Sequence, residues 1–122
     1  MGEKDISIYH RIHDNGLPTR CCHIFEGCFD MFSFGVLVNQ GALKFPTYGR
    51  SDYIVLNSVT NLKRVLGLLD RYDFIFTYMD NDAAGSRATE EIMKYQGNKV
   101  LDMGDLYRGY KDLNEYLSKN CL

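Results

Sequence analysis

Short apolar runs alternate with longer helical segments along most of the chain. Each run has the length of a strand buried on both faces, and the runs lie at residues 21–25, 53–56, 74–79 and 99–103. The segments after them are apolar nearly all round or have apolar residues at helical spacing, and they predict helices at about 28–38, 60–69, 84–95 and 112–118. A run at 6–12 predicts one further strand before this series.

Turn and capping preferences predict where some of these elements begin and end. Gly41 is expected to end the first helix, and the stretch 42–52 is expected to be a loop because it contains Pro46 and Gly49. Thr60 is expected to cap the second helix. The buried face of the third helix is expected to consist of Ala84, Ala88, Ile92 and Tyr95.

This alternation of strands and helices is typical of a parallel sheet whose strands are joined by right-handed crossovers. The chain is therefore predicted to have an α/β fold. We expect a Rossmann-like, mostly parallel four-stranded sheet flanked by helices, with residues 6–12 as an extra N-terminal edge strand. A length of 122 residues suits one domain over residues 1–122, and no internal repeat interrupts it.

Composition indicates a folded, cytoplasmic protein. A hydrophobic content of 45% and a charged content of 25% argue against disorder. No apolar run approaches the roughly 20 residues that span a bilayer, and no signal-peptide pattern is present, so we expect no membrane partner. Sixteen acidic and fourteen basic residues give a net charge of −2, which provides no overall attraction for phosphate. Nucleic-acid binding would then need a local basic patch, a bound metal or another domain.

The four cysteines are expected to be reduced and mostly buried. Cys21 and Cys22 are adjacent, so in a strand they point to opposite faces and form a poor disulfide framework. A zinc site from Cys21, His23 and Cys28 would lack a paired C-x-x-C. The three histidines show no ligand spacing and are interpreted as incidental.

Three carboxylates follow directly after predicted strands. Glu26 comes after the strand at 21–25, and Asp80 and Asp82 come after the strand at 74–79. The carboxyl ends of parallel strands lie along one edge of the sheet, so these side chains converge if their strands are neighbours. Carboxylates brought together repel one another, and a hard cation such as Mg²⁺ relieves that repulsion. The sequence therefore predicts a divalent-metal site at this edge.

Other interpretations of the aspartate pair stay open at this point. Asp82 could simply cap the helix that follows it, which explains one aspartate but not both. A calcium loop of the D-x-D-x-D-G type would place Glu91 at its twelfth position, but Ala84 falls where a ligand is needed. A haloacid-dehalogenase-like phosphatase also uses D-x-D after a strand, although there the motif normally begins the fold.

Further polar residues have both a structural and a functional interpretation. Asp112 and Glu115 form a capping box, D-x-x-E, which does not exclude a further metal ligand in this segment. Asp30 lies one turn into the first helix, where acids are favoured electrostatically. Three loop tyrosines could stack on bases, although their spacing does not demand it: Tyr48, Tyr107 and Tyr110.

Three short motifs together resemble the Toprim domain, which bacterial primases, type IA and type II topoisomerases and some nucleases share. They are E-G-x-x-D at 26–30, D-x-D-x-A-G at 80–85 and K-D-x-N-E at 111–115. Each motif alone is weak, but the ordered trio covers about residues 21–118, nearly the whole chain. The last motif looks most like the primase branch, including primase-like proteins of phages and mobile elements.

The resemblance implies roles for individual residues. Glu26 corresponds to the family's glutamate, a general acid or base in strand breakage and a metal-site residue in primases. Asp80 and Asp82 correspond to its catalytic, metal-binding D-x-D, and Asp112 and Asn114 to further metal ligands. Primases often have a second aspartate where Asn114 stands, so a second metal is not implied. Around residues 58–60 cellular primases often have a glycine, and its absence indicates a divergent member.

The function implied is phosphoryl transfer between nucleotides with Mg²⁺ or Mn²⁺, acting on DNA or an RNA primer with nucleoside triphosphates. The expected role is primer synthesis in DNA replication. The chain lacks a zinc-binding module and room for a further polymerase subdomain, so we expect a fragment or minimal relative of a primase-like protein, with a helicase or further primase domains as partners. The alternatives are a nuclease or topoisomerase fragment and a non-catalytic DNA-binding scaffold.

Overall fold

The computed structural model describes residues 6–9, 20–41 and 51–120. Its strands are β1 (Ser7–Tyr9), β2 (Cys21–Phe25), β3 (Ser51–Val55), β4 (Phe74–Tyr78) and β5 (Val100–Asp102). Its α-helices are α1 (Cys28–Asn39), α2 (Leu62–Leu66), α3 (Ala83–Gln96) and α4 (Leu113–Asn120). Short 3₁₀ segments lie at Val59–Asn61, Gly67–Arg71, Gly97–Lys99 and Gly104–Tyr107. The predicted loop tyrosine Tyr48 and most of the loop at 42–52 lie outside the described residues.

The strands form one five-stranded sheet in the order β1-β3-β2-β4-β5. Pairing is parallel between β2 and β3, β2 and β4, and β4 and β5, whereas β1 runs antiparallel to β3 at the edge. The predicted α/β fold, with a mostly parallel four-stranded sheet and an extra N-terminal edge strand, is therefore confirmed. The central register aligns Phe25 with Val55 on one side and with Tyr78 on the other. The residues that follow β2 and β4 consequently leave the sheet at the same edge.

Helices cover both faces of the sheet, and each face has its own apolar cluster. On one face the side chains of β2, β3 and β4 pack against α2 and α3, through residues that include Ile24, Ile54, Ile75, Val65 and Ile92. On the other face they pack against α1 and α4, through residues that include Phe25, Tyr78, Phe34, Leu37 and Leu117. Within the described ranges, none of the helices has the length and apolar character needed to cross a bilayer.

His23 lies at the centre of the sheet and is fully buried. Its Nδ1 is 2.9 Å from the Tyr78 hydroxyl, and its Nε2 is 3.3 Å from Ser51 Oγ. The ring also stacks against Tyr53 and Phe76. Burial lowers the pKa of His23 to about 3, so the ring is neutral and structural. Both ring nitrogens contact protein hydroxyls, which does not support the zinc alternative.

The loop predicted at 42–52 is wrong at its C-terminal end, because β3 already begins at Ser51. Both polar residues at the start of this strand are buried and have partners. Ser51 contacts His23, and the Asp52 carboxylate accepts a 2.6 Å hydrogen bond from the Tyr72 hydroxyl. These partners lie 20 to 28 residues away along the chain. A local hydropathy pattern could therefore not identify these residues as strand.

Two predictions about helix residues are also wrong. Ser58, not Thr60, caps the helical segment: the Ser58 backbone is extended and its hydroxyl accepts the Thr60 N–H at 3.3 Å. Thr60 lies inside the 3₁₀ turn and cannot be the residue that starts it. Tyr95 is 60% exposed, since the buried face of α3 continues instead through Gln96. The Gln96 amide donates to the Leu66 carbonyl and to the Asp70 carboxylate.

Candidate metal centre

Glu26 and Asp80 meet where β2 and β4 end. The two strands are hydrogen-bonded neighbours, and the Asp80 N–H donates to Glu26 Oε1 at 3.3 Å. Partial burial, together with the negative charges of Asp80 and Asp82, raises the pKa of Glu26 to about 7. Burial also raises the pKa of Asp80. The predicted meeting of distant carboxylates at this edge is therefore observed for these two residues.

Asp30 belongs to the same cluster, although the sequence places it in the E-G-x-x-D motif and near a helix N-terminus without identifying it as a metal ligand. Its carboxylate lies with those of Asp80 and Asp112, and one oxygen from each of the three is within 4.8 Å of the others. Among the described residues, this is the group of acidic, histidine or cysteine side chains whose geometry could hold a metal ion. Burial, together with the charges of Asp112 and Asp80, raises the pKa of Asp30 to about 7.

Asp112 caps α4 as predicted. Its Oδ1 accepts the Glu115 N–H at 2.8 Å. Glu115 Oε2 accepts the N–H of Lys111 at 2.6 Å, one residue before the cap, rather than the Asp112 N–H of a standard capping box. A carboxylate has two oxygens, so one capping bond does not use up its capacity as a ligand. The structural and functional interpretations of Asp112 are thus compatible.

Asp82 also acts as a helix cap. Its Oδ1 accepts the Gly85 N–H at 2.7 Å, and its side chain is exposed rather than part of the three-carboxylate group. Its charge nevertheless acts on Glu26 and Asp80, whose pKa values it raises. The calcium-loop interpretation is wrong, because α3 begins at Ala83 and occupies most of the positions that such a loop requires.

Asn114 links α4 to α1 next to the carboxylates. Its N–H donates to Asp30 Oδ1 at 3.1 Å, and its side-chain oxygen is 3.1 Å from Ser33 Oγ. The first contact holds Asp30 in place, and the second gives the hydroxyl of the buried Ser33 a partner. The structure therefore gives Asn114 a positioning role, and its predicted role as a metal ligand stays a prediction.

A family model described as Toprim-like matches residues 23–117. The chain belongs to the Toprim-like family. In fold it is similar to the primase fragment of the bacteriophage T7 primase-helicase protein, with a TM-score of 0.55 and 23% identity. The match covers 80% of this chain and 38% of that one, so the chain spans less than half the length of that fragment. No curated protein sequence matches it.

Asn81, the middle residue of the Toprim D-x-D, has a role that the sequence interpretation missed. Its side-chain amide nitrogen lies 3.0 Å from the Tyr110 carbonyl and 3.1 Å from the Tyr107 carbonyl. Its backbone N–H donates to the Lys111 carbonyl at 2.6 Å. Asn81 thereby joins the loop after β4 to the segment before α4, and so sets the position of Asp80 relative to Asp112. Only its place between two aspartates could have signalled this.

Tyr107 is not available to stack on bases, contrary to the prediction. It is fully buried, and its hydroxyl donates to the Met79 carbonyl at 2.6 Å. Tyr110 is half-buried and packs edge-on against Tyr116, with ring centroids 5.4 Å apart. Tyr107 therefore supports the strand end before Asp80, whereas base stacking by Tyr110 stays a prediction.

The donor atoms of this Toprim site suit a hard divalent cation. Asp30, Asp80 and Asp112 offer carboxylate oxygens only, which are the ligands that Mg²⁺ and Mn²⁺ prefer. Raised pKa values at Glu26, Asp30 and Asp80 mean that ionising the cluster is unfavourable without a cation. The residues present therefore fit a bound divalent metal.

Proposed function

We propose that this Toprim-like domain binds Mg²⁺ or Mn²⁺ and takes part in phosphoryl transfer on nucleic acid, as the catalytic domain of a DNA primase-like protein. The observation that supports this most is the convergence of the carboxylates of Asp30, Asp80 and Asp112 within 4.8 Å at the carboxyl edge of a parallel sheet. Glu26 lies beside them and hydrogen-bonds to Asp80.

The proposed roles divide among these residues according to their surroundings. Asp30, Asp80 and Asp112 would hold the metal, with Glu26, Asp82 and Asn114 at the margin of the site. When bound, the metal would supply positive charge to phosphate oxygens and to the leaving group. By the family resemblance Glu26 would act as a general acid or base, and in the metal-free chain its pKa of about 7 lets it exchange a proton near neutral pH. Asp82 would keep α3 in register with the site through its capping bond.

The primase assignment draws on the K-D-x-N-E motif and on the fold shared with a phage primase fragment. We propose DNA templates, RNA primers and nucleoside triphosphates as the partners of the site. Because the chain spans 38% of that fragment, we also propose that it works with further primase domains or a helicase, as a Toprim unit of a phage or mobile-element protein in the cytoplasm.

Metal titration tests the site directly. Calorimetry with Mn²⁺ and Mg²⁺ should give binding to the wild-type chain and a loss of at least tenfold for Asp80→Asn/Asp82→Asn and for Asp30→Asn. Asp73→Asn is the matched control, because Asp73 is an exposed aspartate that pairs with Arg20 at the opposite end of β4. Equal affinity of the wild type and the double variant would show that the proposed site is wrong.

Activity tests the reaction class separately. The chain is incubated with single-stranded DNA, nucleoside triphosphates and Mg²⁺ or Mn²⁺, and the products are separated by size. Short new RNA strands that disappear in Asp80→Asn/Asp82→Asn support priming. Shortened template strands would contradict priming and point to the nuclease alternative.

A further inference from the structure

Lys111 is held beside the metal centre by its backbone. Its carbonyl accepts the Asn81 N–H at 2.6 Å, and its own N–H donates to Glu115 Oε2 at 2.6 Å. Asn81 stands between the two aspartates of the D-x-D, and Lys111 immediately precedes Asp112. Both contacts involve the backbone, so they fix where the side chain begins without using its ammonium group.

The charge of Lys111 is not neutralised by a direct contact within the part of the chain that the structure describes. Its side chain is exposed, and the ion pairs there join other residues: Arg20 with Asp73, Arg108 with Asp105, and Lys119 with Glu115. The backbone of Lys111 places this side chain next to Asp112 and, through Asn81, beside the loop that carries Asp80. A free ammonium group is therefore carried on the same segment as a carboxylate that is expected to bind a cation.

A lysine beside the carboxylate group does not favour the binding of a metal ion alone. A lysine near a divalent cation repels it and weakens its binding. The same lysine becomes favourable when the ligand brings its own negative charge, since an ammonium group binds phosphate oxygens as a point charge. The lysine and the metal would then share one phosphate between them.

We propose that Lys111 binds a phosphate oxygen of the nucleotide or nucleic-acid strand that occupies the metal centre, and so selects a phosphate ligand over the bare cation. The inference rests on the proposed function, because it needs a metal at the carboxylate group. It adds a ligand-binding residue whose charge favours binding of phosphate with metal and does not favour binding of metal alone.

Comparing the binding of metal alone with the binding of metal and phosphate therefore tests the proposal. Lys111→Met removes the charge but keeps both backbone bonds. It is expected to bind bare Mn²⁺ as well as the wild type, or a few-fold more tightly, because a repulsive charge is gone. It is expected to bind a phosphate ligand in the presence of Mn²⁺ about tenfold more weakly, the usual effect of losing a hydrogen bond to a charged group.

Calorimetry on the full chain measures both effects with three probes. These are Mn²⁺ alone, ATP with saturating Mn²⁺, and a single-stranded oligothymidylate with saturating Mn²⁺. Lys111→Arg should keep most of the phosphate affinity, because the charge is retained. Lys94→Met is the matched control: Lys94 is exposed on the last turn of α3, about 17 Å from the start of that helix. Thermal unfolding should confirm that each variant is folded.

Each outcome decides a separate point. If Lys111→Met weakens only the binding of ATP with Mn²⁺, the residue is assigned to a triphosphate. If it weakens only the binding of the oligonucleotide with Mn²⁺, the residue is assigned to a strand backbone. If it weakens both, the residue is assigned to a phosphate that both ligands have. Unchanged binding of both, or a loss of bare Mn²⁺ binding, overturns the inference. Wild-type chain that binds Mn²⁺ but neither phosphate probe also overturns it and leaves the metal site standing. Wild-type chain that does not bind Mn²⁺ overturns the proposed function as well.

Discussion

Replacing Gly85 by alanine would place a methyl group against the backbone of Asp80. An added Cβ would lie 2.0 Å from the Asp80 carbonyl oxygen, 2.9 Å from its carbonyl carbon and 3.0 Å from its nitrogen. Non-bonded heavy atoms settle at about 3.5 Å, so the first turn of α3 and the strand end must separate by roughly 1 Å or more. The contacting atoms all belong to the backbone of Asp80, so no flexible side chain can move aside to relieve the contact.

The expected change in the free energy of unfolding is the sum of two unfavourable effects and one favourable effect. Overpacking of this kind lowers the free energy of unfolding by about 1–3 kcal/mol. Displacing the Gly85 N–H from Asp82 Oδ1, now 2.7 Å away, weakens the cap by about 1 kcal/mol more. Alanine returns up to about 1 kcal/mol through its better helix propensity. We expect a net loss of about 1–3 kcal/mol, and a fall of about 10- to 100-fold in Mn²⁺ affinity because Asp80 moves relative to Asp112.

Urea unfolding followed by circular dichroism measures the first quantity, and Mn²⁺ calorimetry measures the second. Gly67→Ala is the control, since Gly67 has helical backbone angles and a Cβ there would meet nothing within 4 Å. It should be neutral or slightly stabilising and should bind Mn²⁺ like the wild type. The reasoning fails if Gly85→Ala matches the Gly67→Ala control in both measurements.

Three further predictions concern the same edge of the sheet. In the folded, metal-free chain the pKa of Glu26 is raised to about 7, so ionising Glu26 destabilises the fold as the pH rises. Between pH 6 and 8 the wild type should therefore lose about 0.5–1 kcal/mol of unfolding free energy relative to Glu26→Gln. An equal pH dependence of the two proteins would contradict this. Excess Mg²⁺ should reverse that loss at pH 8. Asn81→Ala removes the amide that contacts the Tyr107 and Tyr110 carbonyls, and we expect a loss of about 1–3 kcal/mol in urea unfolding together with weaker Mn²⁺ binding. Unchanged Mn²⁺ affinity in that variant would show that Asn81 does not position the carboxylates.

The fold could be predicted because its signals are local. The apolar runs of β2 and β4 can be recognised from a few residues each. Because parallel strands end at one edge of the sheet, these runs also predict that Glu26 and Asp80 lie close together. The start of β3 could not be predicted, because Ser51 and Asp52 are polar and are buried only with distant partners. Hydropathy fails wherever a buried polar residue depends on long-range contacts.

The same limit explains why Asp30 was not predicted to be a metal ligand, although it belongs to the E-G-x-x-D motif. Its place near a helix N-terminus already had a sufficient explanation, and nothing nearby indicated that α4 packs against α1. That packing brings Asn114, 84 residues away, to its carboxylate and places Asp112 beside it. Asp82 shows the reverse case, since its D-x-D position indicated a ligand but its carboxylate mainly caps α3.

These acidic residues share a position that explains how the fold tolerates them without a metal. Asp30 is in the first turn of α1, Asp82 caps α3 and Asp112 caps α4, so three helix N-termini point their N–H groups at the same edge. Such N-termini favour negative charge and offset part of the repulsion between carboxylates. The offset is incomplete, because burial and mutual repulsion still raise the pKa of Glu26 and Asp30 to about 7. The remaining unfavourable energy is what a divalent cation would remove, and the capping residues keep the carboxylates together until it binds.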